Sequence, residues 1–335
     1  MIIVFCHFKS PIPKHLKLNI KRTIQLFPHI EVHLLTDLPP QSIRIKKLTI
    51  DHYKPSNEWY ELETLLTHPK NFRNNFWFTS LSRFIAISEF FDHYQSDVLH
   101  IESDVIISAD FPFNKISTSD YSYCFPIVSD ALAIASTLFI KNSNAAKYLA
   151  ELVMKTARKT RNTTDMHILR ILSMDATVSY LQLPSSPSMV YDKTTVGSKF
   201  LKNNEIGVEY FKGLFDGFDI GRYLFGVDPR NGRGISKVRE FDDSVYLDMR
   251  KIQIITDEHR DFPYVLDIKS KNKFPVFSLH IHSKNKRFFT SSSGRCIKRA
   301  VDKKSNVPGI KLYPAVFFRS ILVSLRRRLM EYFSN

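Results

Sequence analysis

The sequence predicts an α/β fold with a mostly parallel central sheet flanked by helices. The apolar runs in MIIVFCHF (1–8) and EVHLLTD (31–37) are nearly continuous, which is typical of strands buried on both faces of a parallel sheet. A helical stretch at 15–26 separates them and gives the β-α-β order of such sheets. With 335 residues and 43% hydrophobic content, the chain is long enough for one large domain with an extension, or for two small domains.

The next elements follow from periodicity. IRIKKLTI (43–50) is predicted to be a third strand. Apolar residues spaced for one helix face predict a helix over 76–94, which runs directly into the apolar segment 99–108. Further strands are predicted in DYSYCFPIV (120–128) and at 136–142.

Two more helices and a glycine cluster follow. A helix is predicted over 143–158, with Ser143 or Asn144 as its N-cap, and another over 164–174, capped by Thr164 or Asp165. Six of the ten glycines lie in 213–234, which indicates tight turns or backbone close to a ligand. Their spacing fits neither a Walker P-loop nor a G-x-G-x-x-G fingerprint.

Composition excludes several classes of protein. No stretch reaches the ~18–20 apolar residues of a transmembrane helix, and the first residues lack the basic region and cleavage site of a signal peptide. The cysteines Cys6, Cys124 and Cys296 are too scattered for a disulfide framework or a metal cluster. A reducing, cytoplasmic location is therefore expected.

The net charge of +15 is concentrated at the C-terminal end. Residues 284–335 contain thirteen Lys and Arg residues but only two acids, Asp302 and Glu331. The sequence thus predicts a main domain over 1–290 and a basic extension over 291–335. Within the extension, 315–333 has an apolar helical stripe beside arginines, which suits an anionic membrane surface. The same stripe is equally suited to packing on the main domain or to a dimer contact.

Two carboxylates interrupt the apolar segment LHIESDVIIS (99–108). Strand alternation places Glu102 and Asp104 on one face, where two neighbouring carboxylates repel each other. A divalent cation relieves this repulsion, and ligands bind at the carboxyl ends of parallel strands. The alternative is an exposed turn between a strand and a short extension. The motif alone does not decide between these interpretations.

The segment LHIESDVII resembles the D-x-D motif of GT-A glycosyltransferases, with Glu in place of the first Asp. The resemblance implies that Asp104 contacts the metal, and that Glu102 reaches the metal through water or contacts the donor's ribose or sugar. The helix FTSLSRFIAISEFF resembles the family's helix that carries an arginine facing the donor, and Arg83 has that place. A solvated surface arginine is the alternative.

The segment FPVFSLHIHSKNKRFF (274–289) resembles the late element of these enzymes that completes the metal site. The resemblance implies a metal-ligating histidine, His280 or His282, and a basic residue, Lys284, on the diphosphate. His282 is favoured because it is predicted to lie nearer the strand end. Two exposed strand histidines on a basic edge are the alternative.

The resemblance covers roughly 1–290 and implies a Rossmann-like GT-A fold. It also suggests further site residues. Asp216 and Asp219 are candidates for a catalytic base on the acceptor side, as an inverting enzyme requires. Asp165 is a candidate for contact with the sugar unless it is only an N-cap, and Asp37 for contact with the nucleoside. Inversion and retention both stay open.

The function predicted from sequence is sugar transfer from a nucleotide-sugar donor, dependent on Mn²⁺ or Mg²⁺. The expected acceptor is a glycan or lipid-linked glycan of the surface polysaccharide or lipopolysaccharide type, at the cytoplasmic face of a membrane. One alternative is a basic nucleic-acid-binding protein, which the confinement of charge to the tail and the lack of a known motif disfavour. The other alternative is a GT-A-like scaffold without catalysis.

Overall fold

The computed structural model describes residues 1–39, 43–70, 75–129, 132–187, 198–226, 247 and 251–305. The strands within them are β1 (Ile2–His7), β2 (Val32–Thr36), β3 (Leu48–His52), β4 (Val98–Ile101), β5 (Val105–Ile107), β6 (Tyr123–Pro126), β7 (Thr137–Ile140), β8 (Tyr180–Leu183), β9 (Leu214–Phe215), β10 (Ile252–Ile255), β11 (Tyr264–Asp267) and β12 (Lys273–His280). The helices are α1 (Lys14–Leu26), α2 (Asn57–Leu65), α3 (Phe76–Phe90), α4 (Phe113–Ser117), α5 (Ser143–Lys159), α6 (Asp165–Met174), α7 (Ser198–Phe211), α8 (Asp219–Phe225) and α9 (Ser293–Ser305), with a 3-10 helix at Lys286–Phe289.

The main sheet has the strand order β3-β2-β1-β4-β7-β6-β8. Within it, β7 runs antiparallel to both neighbours, and the other pairings are parallel. The predicted α/β fold with a mostly parallel central sheet is therefore confirmed. The third strand begins at Leu48, five residues later than predicted, because the chain turns at 46–47, where Lys47 adopts a left-handed backbone conformation with φ 65°.

Helices cover both faces of this sheet. Along β1, Ile2 and Val4 belong to one buried apolar cluster, whereas Ile3 and Phe5 belong to a second cluster on the opposite face. The first cluster includes residues of α3 and α5, and the second includes residues of α1. Burial on both faces is the reason that these strands are apolar at successive positions rather than alternating.

One of the two predicted helix N-caps is confirmed, and the other is displaced by one residue. Asn142, one residue before the predicted positions, caps α5, since its side chain accepts a hydrogen bond from the backbone N–H of Ala145 at 3.0 Å. Thr164 caps α6, as one of the two predicted alternatives, and accepts from the N–H of His167 at 3.4 Å.

A second, smaller sheet meets the main sheet where β4 ends. Its strand order is β10-β11-β12-β5, all antiparallel, and β9 pairs in parallel with β12. The chain leaves the main sheet at Ile101 and enters the second sheet at Val105. The three residues between these two strands are Glu102, Ser103 and Asp104, so the acidic motif lies where the two sheets meet.

The first part of the predicted extension packs onto this body. Ile297 and Val301 of α9 are fully buried in the first apolar cluster. The segment 291–294 leads into α9, and the Ser293 hydroxyl there accepts a hydrogen bond from the Arg22 guanidinium at 3.1 Å. The predicted membrane-binding stripe 315–333 lies outside the described residues. Among the described helices, none has both the length and the apolarity to cross a membrane.

Candidate functional site

Glu102 and Asp104 lie in a turn. The backbone N–H of Val105 donates to the Glu102 carbonyl at 3.1 Å, and the N–H of Ile281 donates to the Asp104 carbonyl at 2.7 Å. The strand-alternation argument is therefore wrong, because the strand ends at Ile101. The turn nevertheless directs both carboxylates toward the same histidine.

That histidine is His280, the last residue of β12, which pairs opposite Val105. Its Nε2 lies 3.4 Å from an Asp104 carboxylate oxygen and 3.7 Å from one of Glu102. One possible ligand atom from each of Glu102, Asp104 and His280 lies within 4.8 Å of the other two. Because a carbonyl only accepts, the 2.8 Å contact from Nδ1 to the Gly217 oxygen places a proton on Nδ1. Nε2 is thereby directed at the carboxylates.

The charged groups of this cluster shift one another's pKa values. Burial lowers the pKa of His280, but the two carboxylates outweigh it and raise that pKa to about 9. Burial raises the pKa of Asp104, but His280 and Lys284 outweigh it and hold that pKa well below its usual value. The Lys284 ammonium lies 3.4 Å from the second carboxylate oxygen of Asp104. The backbone of Lys284 is left-handed, with φ 51°. The site thus gathers two acids and two cationic groups in a buried turn region.

His282 lies just beyond the strand rather than on it. Its N–H donates to the His280 carbonyl in a turn, and the two imidazole rings stack with centroids 3.9 Å apart. Burial, followed by the nearby His280, lowers the pKa of His282 well below its usual value. The sequence favoured His282 as the metal ligand, but the structure places His280, not His282, among the carboxylates.

Arg83 lies on the inner face of α3 and is buried rather than solvated. Its Nη1 donates to Glu102 at 2.6 Å, and its Nη2 donates to Asp165. Although burial lowers the pKa of Arg83, these two carboxylates raise it above the usual arginine value. Asp165 is the first residue of α6, and burial raises the pKa of its carboxyl despite Arg83. The predicted Arg83, Glu102 and Asp165 thus form one ion-pair network.

His100 is a member of this network that the sequence analysis missed. It lies in β4 with Nδ1 3.1 Å from the Val4 carbonyl and Nε2 3.5 Å from Arg83. Burial, then the charge of Arg83, lowers its pKa to about 3. The sequence signal was a polar residue within the apolar run LHI, two positions before Glu102.

The two acids predicted for the acceptor side are both buried. Asp216 is buried, and its carboxylate accepts from the N–H groups of Ile220 at 3.1 Å, Gly221 at 2.7 Å and His280 at 3.0 Å. This carboxylate joins the start of α8 to the end of β12, which favours a structural role. Asp219 is also buried, as the first residue of α8.

Asp37 lies at the carboxyl edge of the main sheet, just after β2. Both of its oxygens accept from the backbone N–H of Lys9, at 3.0 and 3.1 Å, in the loop that follows β1. His7, the last residue of β1, lies close enough for both Asp37 and Lys284 to influence its charge. Asp37 and Lys284 therefore both lie near the carboxyl end of β1.

The chain was compared with known protein families, sequences and structures. No protein-family model and no curated protein sequence matches the chain. Among solved structures, it is similar to the galactosyltransferase LgtC in complex with donor and acceptor sugar analogs, at 15% identity and a TM-score of 0.40, over 58% of this chain and 76% of that one. Mouse xyloside xylosyltransferase 1 is similar at 7% identity and a TM-score of 0.40, over 55% and 84% of the two chains.

The glycosyltransferase GlyE of Streptococcus pneumoniae is similar at 17% identity and a TM-score of 0.38, over 54% of this chain and 44% of that one. All three are glycosyltransferases, the class that the sequence motifs indicate.

Proposed function

We propose that this protein is a metal-dependent glycosyltransferase of the GT-A type. It would transfer a sugar from a nucleotide-sugar donor to a glycan or lipid-linked glycan. The observation that supports this most is the convergence of Glu102, Asp104 and His280 at the junction of the two sheets. This junction lies beyond the carboxyl end of β4, where open α/β sheets bind their ligands.

The donor set fits a divalent cation. Two carboxylate oxygens and one imidazole suit Mn²⁺, and the carboxylates alone suit Mg²⁺. The hydrogen bond from His280 Nδ1 to Gly217 is of the kind that orients metal-ligating histidines. We therefore assign Glu102, Asp104 and His280 as the ligands. When bound, the ion would supply positive charge to the departing diphosphate.

The remaining residues have separate roles in this proposal. Lys284 is the proposed point charge for the diphosphate, because its ammonium lies 3.4 Å from Asp104, beside the proposed metal ligands. Both terminal nitrogens of Arg83 are engaged by carboxylates, so we assign Arg83 to holding Glu102 in place instead of to direct donor contact. Asp165 fixes Arg83 from the other side.

On the acceptor side, we retain Asp219 as the candidate base and assign Asp216 to positioning. The three amide contacts of Asp216 leave its carboxylate occupied by backbone, and one of them belongs to His280. Asp37 stays the candidate for nucleoside contact, because it lies at the sheet edge next to the loop after β1.

The acceptor class and location are also part of the proposal. We propose a surface-polysaccharide or lipopolysaccharide-type acceptor at the cytoplasmic face of a membrane, with 315–333 contributing to membrane contact. A chain ending at residue 312 is then expected to bind anionic vesicles more weakly than the full chain. Equal vesicle binding by the two chains would show that 315–333 does not contribute to membrane contact.

The experiment that tests the activity is a nucleotide-sugar panel, with and without Mn²⁺, followed by thermal shift and nucleotide release. Metal-dependent stabilisation by one nucleoside diphosphate class, with release of that nucleotide, is expected. Stabilisation without turnover on any acceptor would favour a scaffold without catalysis. No response to any donor, with nucleic-acid binding that falls steeply with salt, would favour the nucleic-acid alternative.

Variants then test the ligand assignment. Asp104→Ala should abolish metal-dependent activity, whereas Glu102→Ala should retain a small part of that activity. His280→Ala should lose metal dependence more completely than His282→Ala. Equal, mild effects of Asp104→Ala and Glu102→Ala would show that these acids are not the metal site.

A further inference from the structure

Three helices that contact one another carry exposed basic residues. We infer that α1, the 3-10 helix 286–289 and α9 together form a docking surface for an anionic lipid bilayer. We call these three elements the basic helical surface. It is built largely from residues of the folded domain, and α1 contributes to it although it lies about 270 positions before α9 in the sequence.

Specific contacts hold the three elements side by side. The 3-10 helix packs against both α1 and α9. The His15 ring of α1 packs against Phe289 of the 3-10 helix, with centroids 5.6 Å apart. Arg22 of α1 donates to Ser293 at the start of α9 at 3.1 Å. His15 and Arg22 are seven residues apart, so the same side of α1 contacts the other two elements.

The exposed positions of these elements are strongly basic. Lys14 and Lys21 directly precede His15 and Arg22, so they flank the contact between the helices. Neither α1 nor the 3-10 helix contains an acid, and α9 contains only Asp302. The exposed or half-exposed cations that the three elements share are Lys14, Lys17, Lys21, Lys286, Arg287, Arg295, Lys298, Arg299, Lys303 and Lys304.

A lipid surface fits this arrangement better than a nucleic acid. Single-stranded nucleic acids are bound by cationic grooves with exposed aromatic side chains for base stacking. In the basic helical surface, the aromatic residues Phe288 and Phe289 are buried, and the exposed large apolar residues of the described chain lie on other elements. Cations spread over three neighbouring helices instead match a charged plane, which attracts basic residues without insertion.

The position of the surface relative to the site supports the same partner. Asn19 of α1 donates to the Val105 carbonyl at 2.6 Å, so α1 is tied to the turn that carries Asp104. The 3-10 helix begins two residues after Lys284. Docking through the basic helical surface would therefore hold the site beside a bilayer, where a lipid-linked acceptor is presented. This last argument rests on the proposed function, whereas the charge and packing of the basic helical surface do not.

The test is co-sedimentation of the full chain with vesicles of phosphatidylglycerol and phosphatidylcholine in a 3:7 ratio, and with pure phosphatidylcholine. Lys17→Glu/Lys21→Glu changes two positions one helical turn apart on α1 and leaves the basic tail intact. Lys155→Glu/Lys159→Glu makes the same change at exposed positions of α5, which packs against α2, α3 and α6. Circular dichroism and thermal unfolding show whether each variant is folded.

We expect the α1 variant to bind the anionic vesicles about 30-fold more weakly than the native chain, from the usual contribution of each basic residue near a charged membrane. The α5 variant should bind within about threefold of native, and Arg295→Glu/Arg299→Glu should weaken binding as the α1 variant does. Equal loss in the α1 and α5 variants would reduce the effect to net charge and overturn the inference. Equal binding to pure phosphatidylcholine, or a preference for single-stranded RNA that the α1 variant loses, would also overturn it.

Discussion

The ion-pair network around Arg83 predicts a large loss of stability when its cation is removed. In Arg83→Met, an apolar side chain of similar length replaces a guanidinium that is 6% exposed and contacts Glu102 and Asp165. Asp165, also 6% exposed, would be left as a buried carboxylate without its partner. Glu102 is more exposed and can be solvated, so most of the cost arises at Asp165.

The magnitude follows from the burial of the pair. Removing one partner of a buried ion pair costs about 3–5 kcal/mol of the free energy of unfolding. For a chain of 335 residues, this corresponds to a decrease in Tm of roughly 4–7 °C, from the usual entropy of unfolding per residue. Asp165→Asn in the same background removes the stranded charge. The double variant Arg83→Met/Asp165→Asn should therefore be more stable than Arg83→Met alone.

Urea titration and scanning calorimetry of the native chain, both single variants and the double variant measure this coupling. A coupling free energy of about 1–3 kcal/mol between Arg83 and Asp165 is expected. A loss of less than about 1 kcal/mol for Arg83→Met, no more than an ordinary substitution costs, would contradict this prediction, as would single effects that simply add.

Three further predictions concern residues around the site and the fold. Asp216→Asn puts an amide where three backbone N–H groups donate to a carboxylate, so it should cost about 2–3 kcal/mol of unfolding free energy in urea titration; native stability with lost turnover would instead restore Asp216 as a base. Asn142→Ala should cost about 1 kcal/mol and Ser143→Ala much less, since Asn142 caps α5; the reverse order would contradict the assigned cap. Burial lowers the pKa of His7, so below about pH 6.5 the unfolded chain takes up a proton that the folded chain does not bind. The free energy of unfolding therefore decreases as the pH decreases. His7→Gln should lose less stability than the native chain between pH 7 and 5.5, and parallel pH profiles would be evidence against the shift.

Much of the fold could be predicted from local sequence because burial on both faces leaves a local signal. Strands such as β1 and β2 are apolar at successive positions, and α3 has apolar residues at helical spacing. The N-cap of α5 was missed by one residue, because Asn142, Ser143 and Asn144 are all suitable caps and only the backbone geometry selects one. The start of β3 was missed because Ile43 and Ile45, which precede the turn at Lys46–Lys47, already alternate with polar residues as in a strand.

The candidate site could be predicted in residue type but not in arrangement. The acids, His280 and Lys284 are conspicuous in sequence, because each interrupts or ends an apolar run. The choice between His280 and His282 depends on where β12 ends, and alternation does not show that. The pairing of Arg83 with Asp165 joins positions 82 residues apart, so no local pattern reports it.

The basic helical surface could not be predicted from local sequence either. Charge counting assigned the basicity to the C-terminal tail, where thirteen of the cations are found. Packing of α1 against the 3-10 helix adds a second basic segment from the other end of the chain. Such a surface depends on tertiary contacts and cannot be obtained from a one-dimensional charge profile.

The most direct test of the central claim is calorimetric titration of Mn²⁺ into the native chain and into Asp104→Asn, each with a saturating nucleoside diphosphate chosen from the donor panel. Asp110→Asn is the matched control, because Asp110 pairs with Arg260 away from the Asp104 cluster. We expect saturable Mn²⁺ binding by the native chain and by Asp110→Asn, and at least a 100-fold weaker affinity for Asp104→Asn. Equal Mn²⁺ affinity in all three proteins, or none in the native chain, would contradict it.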